Sequence, residues 1–398
     1  MSATIAMEID RQSRANVIRL ALAQALAGAN ATVIFATGSI IGNSLAPSPA
    51  LATIPISVFV VGMALGTLPT GAIARRHGRR TAFLLGGCCG VLAGLVAALA
   101  LLRQSFPLFC LATLFGGLYG SVVQSFRFAA ADGVTPAFRP RALSWVMAGG
   151  VFSGVLGPQL VSWTMYLTPH VFVASYLAQA GVAMVAMIVL SGVRLPAVSV
   201  SAGGGRPLGV ILRQRRFGVA VLCGVVTYTL MNLVMTSAPL AMRLCGLPIS
   251  MSNNAIQWHV VAMYLPSFLT GTLIARFGAP RIVATGLCLL CAAAIVGLLG
   301  IQPANFFVGL VLLGMGWNFG FVGASALVLE AHRPEERTRV QSFNDFLVFG
   351  TMAVGSFSSG SLLALLGWAA VNWVVFPPVL LALLVLLLVR RPATAEAV

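Results

Sequence analysis

The chain has 398 residues, with 8 acidic side chains against 24 basic ones, a net charge of +16 and 59% hydrophobic residues. With a mean hydropathy of +0.98, a soluble domain would lack the polar surface that keeps it in solution. Every basic residue is arginine, and these recur along the whole chain, which argues against a nucleic-acid partner.

Twelve apolar segments follow in chain order. The first six lie near 20–42, 53–74, 81–102, 108–129, 142–165 and 171–193. The second six lie near 217–242, 254–275, 282–301, 306–329, 342–365 and 369–389. Each is close to the ~20 residues a helix needs to cross a bilayer. The predicted fold is an all-α integral membrane bundle of twelve transmembrane helices in two pseudo-symmetric halves. Residues 1–194 form one half and 213–398 the other, joined by a linker at 195–212 that holds Pro196, Gly203-Gly204-Gly205 and Pro207. Residues 1–18 are polar and lack the apolar core of a signal peptide. All arginines but Arg103 and Arg243 fall on one side of this topology, which places both termini and the linker in the cytoplasm. Six of the 7 cysteines sit in apolar helices, so no external disulfide framework is expected.

The halves repeat. Asp132, Pro136, Arg139, Arg141 and Ser144 match Glu330, Pro334, Arg337, Arg339 and Ser342 at an offset of 198. Gly71, Arg76 and Gly78 match Gly271, Arg276 and Gly278 at an offset of 200. A parallel six-helix repeat puts a pseudo-twofold along the membrane normal and a site at the midplane between the halves.

The loop after the second segment reads Gly71-Ala72-Ile73-Ala74-Arg75-Arg76-His77-Gly78-Arg79-Arg80. Here the sequence resembles the major facilitator superfamily, whose loop of the form Gly-x-x-x-Asp-Arg-x-Gly-Arg-Arg has a weaker copy in the second half. In that loop Gly71 permits close helix packing and Gly78 a tight reversal. The family aspartate is replaced by Arg75, and by Ala275 in the second copy. The family's drug–proton antiporters carry an arginine where this chain has Thr113, and only Gly157-Pro158 survives of their fifth-helix signature. Pro158, with Pro239 and Pro266, is expected to break its helix and flex during gating.

Charge inside a membrane is costly and marks function. Arg127 sits near the inner end of the fourth segment and Asp345 near the start of the eleventh. Arg127 suits an anionic substrate group or a snorkelling role equally. His259, whose ordinary pKa is ~6.5, is a proton-carrier candidate, although a hydrogen-bonded structural role suits it better. The midplane is polar but uncharged: Asn30, Thr32, Tyr119, Asn232, Tyr264, Trp317 and Asn318. The resembled family lines its cavity with helices 1, 4, 7 and 10, which implies that Asn30, Asn232 and Asn318 converge there with the aromatic rings. Amides in hydrocarbon need partners, either each other or a ligand. For the altered loop, a charge swap is expected. Asp345 would cap its own helix and pair with Arg75, and Asp132 would take Arg76 or Arg79.

No metal spacing, catalytic constellation or nucleotide loop is present, so neither enzyme activity nor a cofactor is expected. The reading is a monomeric alternating-access permease for a small organic solute in a bacterial inner membrane. The arginine-only, alanine- and glycine-rich composition of a high-GC genome points to bacteria. A weaker resemblance, through Arg127-Phe128-Ala129-Ala130-Ala131-Asp132 and Phe138-Arg139-Pro140-Arg141, is to proteobacterial uptake carriers that include riboflavin transporters. An efflux pump of the same fold and a non-transporting ligand sensor are the alternatives.

Overall fold

The computed structural model describes residues 3–48, 51, 54–132, 134–195 and 206–388. Among the described residues every regular element is helical. The first half comprises α1 (Ala3–Leu45), α2 (Ile54–His77), α3 (Arg79–Leu102), α4 (Phe106–Asp132), α5 (Arg139–Thr164) and α6 (Val173–Ser191). A short α7 (Leu208–Leu212) leads into α8 (Arg215–Leu244), α9 (Ile249–Tyr264), α10 (Ser267–Phe277) and α11 (Ala279–Leu299). Next come α12 (Pro303–Trp317), a π-helical stretch (Asn318–Val322), α13 (Gly323–Glu330), a 3-10 turn (Pro334–Glu336), α14 (Arg337–Trp373) and α15 (Phe376–Leu388).

Eleven stretches of the described residues are long and apolar enough to cross a membrane. The remaining crossing is α14 up to Gly367, whose early turns carry Arg337, Arg339, Gln341, Asn344 and Asp345. Gly367 takes φ +78° and ends that crossing. The residues beyond it join α15 in the span Leu365–Leu388. Gly78 and Gly278 both take φ +85°, so the α2–α3 and α10–α11 reversals use the same left-handed step at matching places.

Three expectations are corrected. The eleventh crossing begins at Arg337 rather than 342, because the Glu336 turn in front of it is itself helical. Pro158 and Pro239 lie inside continuous helices, α5 and α8, so Gly157-Pro158 is no break. Only Pro266 interrupts its helix, between α9 and α10, where a side-chain amide takes up the freed backbone carbonyl of Met263. The linker's end is also built into the fold. Residues 196–205 lie outside the described residues, but Ile211 of α7 is buried, and Arg206 binds Glu336 through its backbone N–H (2.9 Å) and its guanidinium (2.8 and 2.7 Å).

The halves meet along two seams, α2 against α14 and α5 against α10. Both seams lie toward the arginine-rich face. At each, a loop-motif glycine receives a serine from the other half. A Cβ on Gly71 would overlap the Ser342 side chain, and one on Gly271 would lie 2.6 Å from the Pro140 carbonyl oxygen and 2.7 Å from Ser144 Cβ.

Candidate transport site at the seam of the halves

Two α4 residues, Gln124 and Arg127, bond to the second half. Gln124 Nε2 donates to the Tyr228 hydroxyl at 3.3 Å. Arg127 is fully buried, and its Nη2 lies 2.5 Å from Asp345 Oδ1 across the seam. Its Nε donates to Ser325 Oγ at 3.2 Å, its own counterpart at the 198 offset, and its Nη1 donates to the Gln124 carbonyl. Asn344 Nδ2 holds the same Asp345 oxygen at 3.0 Å. Buried charges are tolerable only when paired and hydrogen-bonded, and this pair meets both conditions.

Above the ion pair lies an aromatic cage. The Arg127 guanidinium carbon sits 4.6 Å from the Phe321 ring centre. Tyr228 meets Phe321 (4.8 Å), Trp317 (5.4 Å) and Phe349 (5.4 Å) edge to face. Trp317 stacks on Phe321 at 5.2 Å, and Tyr264 closes on Trp317 at 5.5 Å. The Tyr264 ring lies against Gly150 of α5, so the cage reaches the other half. Asn232, one turn beyond Tyr228 on the same face of α8, is buried with neither amide atom hydrogen-bonded. Trp317 Nε1 is equally unpartnered. Unmet polar atoms at this depth cost on the order of 1–3 kcal/mol each, and the Tyr119 hydroxyl and His259 Nε2 are unmet as well.

Of the sequence-predicted residues, this site brings together Arg127, Asn232, Tyr264, Trp317 and Asp345. Others are elsewhere. Asn30 donates to the Gly116 carbonyl (3.1 Å) and accepts from Gln179, which ties α1 to α4 and α6. Thr32 donates to the Ala29 and Ser153 carbonyls, with Gly157 packed against it. The Tyr119 ring lies over Gly90 of α3. Asn318 mends the Pro266 break, donating to the Met263 carbonyl (2.6 Å) and Ser267 Oγ (2.5 Å) and accepting from Thr270 (2.6 Å). His259 is buried with Nδ1 on the Leu310 carbonyl at 2.7 Å, linking α9 to α12. The three asparagines therefore do not converge: two of them bond within their own halves. Tyr228, Gln124, Phe321 and Phe349 went unpredicted. Tyr228 was detectable, because a residue four before Asn232 shares its helix face.

The loop charges also differ from expectation. Asp345 pairs with Arg127 and not with Arg75, whose charged neighbours are Arg339 and Arg76. The reason is depth: Asp345 lies eight residues into α14, roughly 12 Å along the axis at 1.5 Å per residue. Asp132 does take Arg79, at 2.5 Å, in an ionic contact not aimed as a hydrogen bond. Arg79 Nη2 also donates to Gln341 of α14 at 2.6 Å, and Arg337 stands 3.8 Å from Asp132. Arg76 and Arg80 are exposed, Arg276 lies over the Phe277 ring, and Glu330 is exposed with Arg216 nearby.

The Major Facilitator Superfamily profile matches residues 20–263 and 220–398. The chain belongs to the Major Facilitator Superfamily. It is a multi-pass membrane transporter of that superfamily, built as two pseudo-symmetric six-helix halves. Among its superfamily relatives, the riboflavin transporter RfnT of Brucella anthropi is 46% identical over 390 residues, covering 97% of this chain and 98% of that protein. The MFS-type transporter YdeG of Bacillus subtilis is 27% identical over 368 residues, covering 87% of this chain and 85% of that protein. In fold, the chain is similar to the proton:xylose symporter XylE, with a TM-score of 0.79 at 13% identity, covering 94% of this chain and 95% of that one. It is also similar to a bacterial homologue of the iron transporter ferroportin in its outward-facing state, with a TM-score of 0.70 at 16% identity, covering 93% and 98%. At these identities the structures speak for the superfamily fold alone.

Proposed function

We propose that the chain is an uptake carrier for riboflavin, or a solute with the same planar ring system, in a bacterial inner membrane. Both termini lie in the cytoplasm and the protein works as a monomer. The observation that carries the reading is the unpartnered Asn232 amide beside the Tyr228–Trp317–Phe321 cage. An amide offers a donor and an acceptor side by side, which complements the alternating carbonyl and N–H edge of an isoalloxazine. Aromatic faces suit its flat rings. The 46% identity to a riboflavin transporter, over nearly the whole of both chains, supports the same solute.

The ion pair beneath the cage gives alternating access its latch. Arg127 and Asp345 come from different halves, so opening the arginine-rich face separates two buried charges. The closed face is favoured until substrate binding offsets that cost. Trp317 and Asn232 are buried, so the cage is shut in this conformation.

Uptake of labelled riboflavin into proteoliposomes tests the reading. Accumulation against no opposing gradient is expected, and Asn232→Ala should weaken apparent affinity by about 5- to 150-fold, the equivalent of ~1–3 kcal/mol. Binding without accumulation would make the protein a sensor, and transport only out of the cytoplasmic side would make it an exporter. An unchanged KM in Asn232→Ala would remove the amide from the site. For topology, cytoplasmic reporter activity is expected from a fusion after Gly205. Alkaline phosphatase activity there would invert the arrangement.

A further inference from the structure

Beside the α5–α10 seam lies a groove of about 540 Å³. It is lined by Arg14 and Ile18 of α1, by Phe138, Arg141 and Trp145 at the start of α5, and by Thr272 of α10. None of these lining residues is acidic. We infer that this groove binds an anionic phospholipid from the leaflet on the arginine-rich side, with the phosphate on Arg141.

Arg141 and Phe138 correspond, at the 198 offset, to Arg339 and Glu336. At that second position the arginine is already used: Arg339 donates to the carbonyl of Arg206, and Glu336 anchors Arg206 through both carboxylate oxygens. The end of the chain's own linker therefore supplies one carbonyl oxygen, that of Arg206, to the arginine of the α2–α14 seam. At the α5–α10 seam the corresponding arginine is exposed over an open groove, and the carboxylate is replaced by an aromatic ring. What fits there must bring its own negative oxygens and an apolar body.

A phospholipid brings both. A guanidinium binds phosphate oxygens in a two-pronged arrangement. Trp145, 46% exposed and edge to face with Phe138 at 5.6 Å, is a ring at headgroup depth, where tryptophan accumulates in membrane proteins. Ile18, 55% exposed, extends the apolar wall one turn outward from Arg14 along the acyl chain. Arg14 has interactions of its own within the chain, so the phosphate contact rests on Arg141, with Arg14 adding field. The lipid also carries a conformational consequence. Arg141 and Trp145 belong to one half and Thr272 to the other, and Ser144 behind them closes on Gly271. The groove has both walls only while this seam is shut, so a bound lipid favours that state.

The experiment is native mass spectrometry of the full-length protein released from vesicles of equal parts phosphatidylglycerol and phosphatidylcholine. Retention of phosphatidylglycerol over phosphatidylcholine is expected. Arg141→Gln should reduce it about five-fold, the effect of one arginine at an anionic surface. Trp145→Ala should reduce it while leaving the charge unchanged. Arg281→Gln removes an exposed arginine of the same face away from the groove and should leave retention as in the wild type. Excess inorganic phosphate should not displace the lipid, because it lacks the acyl chain. Equal retention of both lipids, wild-type retention in Arg141→Gln, or an equal loss in Arg281→Gln overturns the inference. The readout is lipid retention, so it stands or falls separately from riboflavin uptake.

Discussion

The two seams share one plan and differ in what holds them. At α2–α14, Gly71 receives Ser342, and charge surrounds the contact: Arg79 with Asp132 and Gln341, and Arg127 with Asp345. At α5–α10, Gly271 receives Ser144, and the contact is neutral. Ser144 Oγ accepts from the Gly271 N–H at 2.9 Å and donates to the Ser267 carbonyl. The positions matching Arg127 and Asp345 are Ser325 and Met147. One seam is therefore closed by buried charge, which is costly to leave unpaired, and the other by backbone proximity, which is costly to crowd. Each seam has its own way to fail.

The largest effect should come from Asp345→Leu. It strands a buried guanidinium, at a cost of about 3–5 kcal/mol, so a lower melting temperature and lost uptake are expected. Adding Arg127→Met should return the melting temperature to the wild-type value or above while uptake stays low, because an apolar pair packs but does not latch. A double variant that melts as low as the single would show that charge is not what closes this seam.

Next in size are the glycines. Gly271→Ala drives a methyl into the Pro140 and Arg141 backbone and Ser144 Cβ, none of which can turn aside, whereas Gly71→Ala meets Ser342, whose Oγ can rotate away and whose Cβ, at 2.6 Å, moves only with α14. Overpacking of this kind costs about 1–3 kcal/mol. Spin-label distances across the arginine-rich face should show Gly271→Ala more open than Gly71→Ala. The reverse order would mean that sterics do not govern the neutral seam.

A smaller effect concerns the Arg206–Glu336 strap beside the charged seam. Hydrogen bonds from Arg206 hold the Glu336 carboxyl down at about 2, against an ordinary 4.5. A depressed acid stabilises the fold above its unfolded value, and the contribution is lost as pH falls through the folded one. Amide exchange at Arg206 and Arg333, both of which donate to Glu336, should stay protected from neutral pH to about 4.5 and loosen toward about 2. Glu336→Gln should loosen them at every pH. Loosening that begins near neutral pH would point to another group.

The smallest effect is Ser144→Ala, which removes hydrogen bonds worth about 0.5–1.5 kcal/mol each and should open the neutral seam only slightly in the same distance measurement.

Much of this was legible in the sequence, because a bilayer demands apolar length and segregates arginine. Segment order, the glycine reversals at Gly78 and Gly278, and the pairing of Asp132 with Arg76 or Arg79 all follow from local pattern or repeat spacing, and packing chooses Arg79. The Arg127–Asp345 pair did not, because it depends on where α14 starts. A few residues at a helix start change a cap into a buried partner. The asparagines misled for a related reason. Composition shows that an amide needs a partner, but only packing decides whether that partner is a neighbouring carbonyl, as for Asn30 and Asn318, or none, as for Asn232.

The π-helical stretch at Asn318–Val322 explains why the cage belongs to one half. Tyr119 and Trp317 are separated by the same 198 positions as Arg127 and Ser325. In a regular helix, eight residues leave a side chain roughly 80° away from its starting direction. That rotation carries Tyr119 off the Arg127 face and into packing against α3. The wider π turn absorbs an extra residue, so eight residues close on almost whole turns. Trp317 thus faces the same way as Ser325, into the seam. A single widened coil lets two sequence-equivalent rings serve as mortar in one half and as wall in the other.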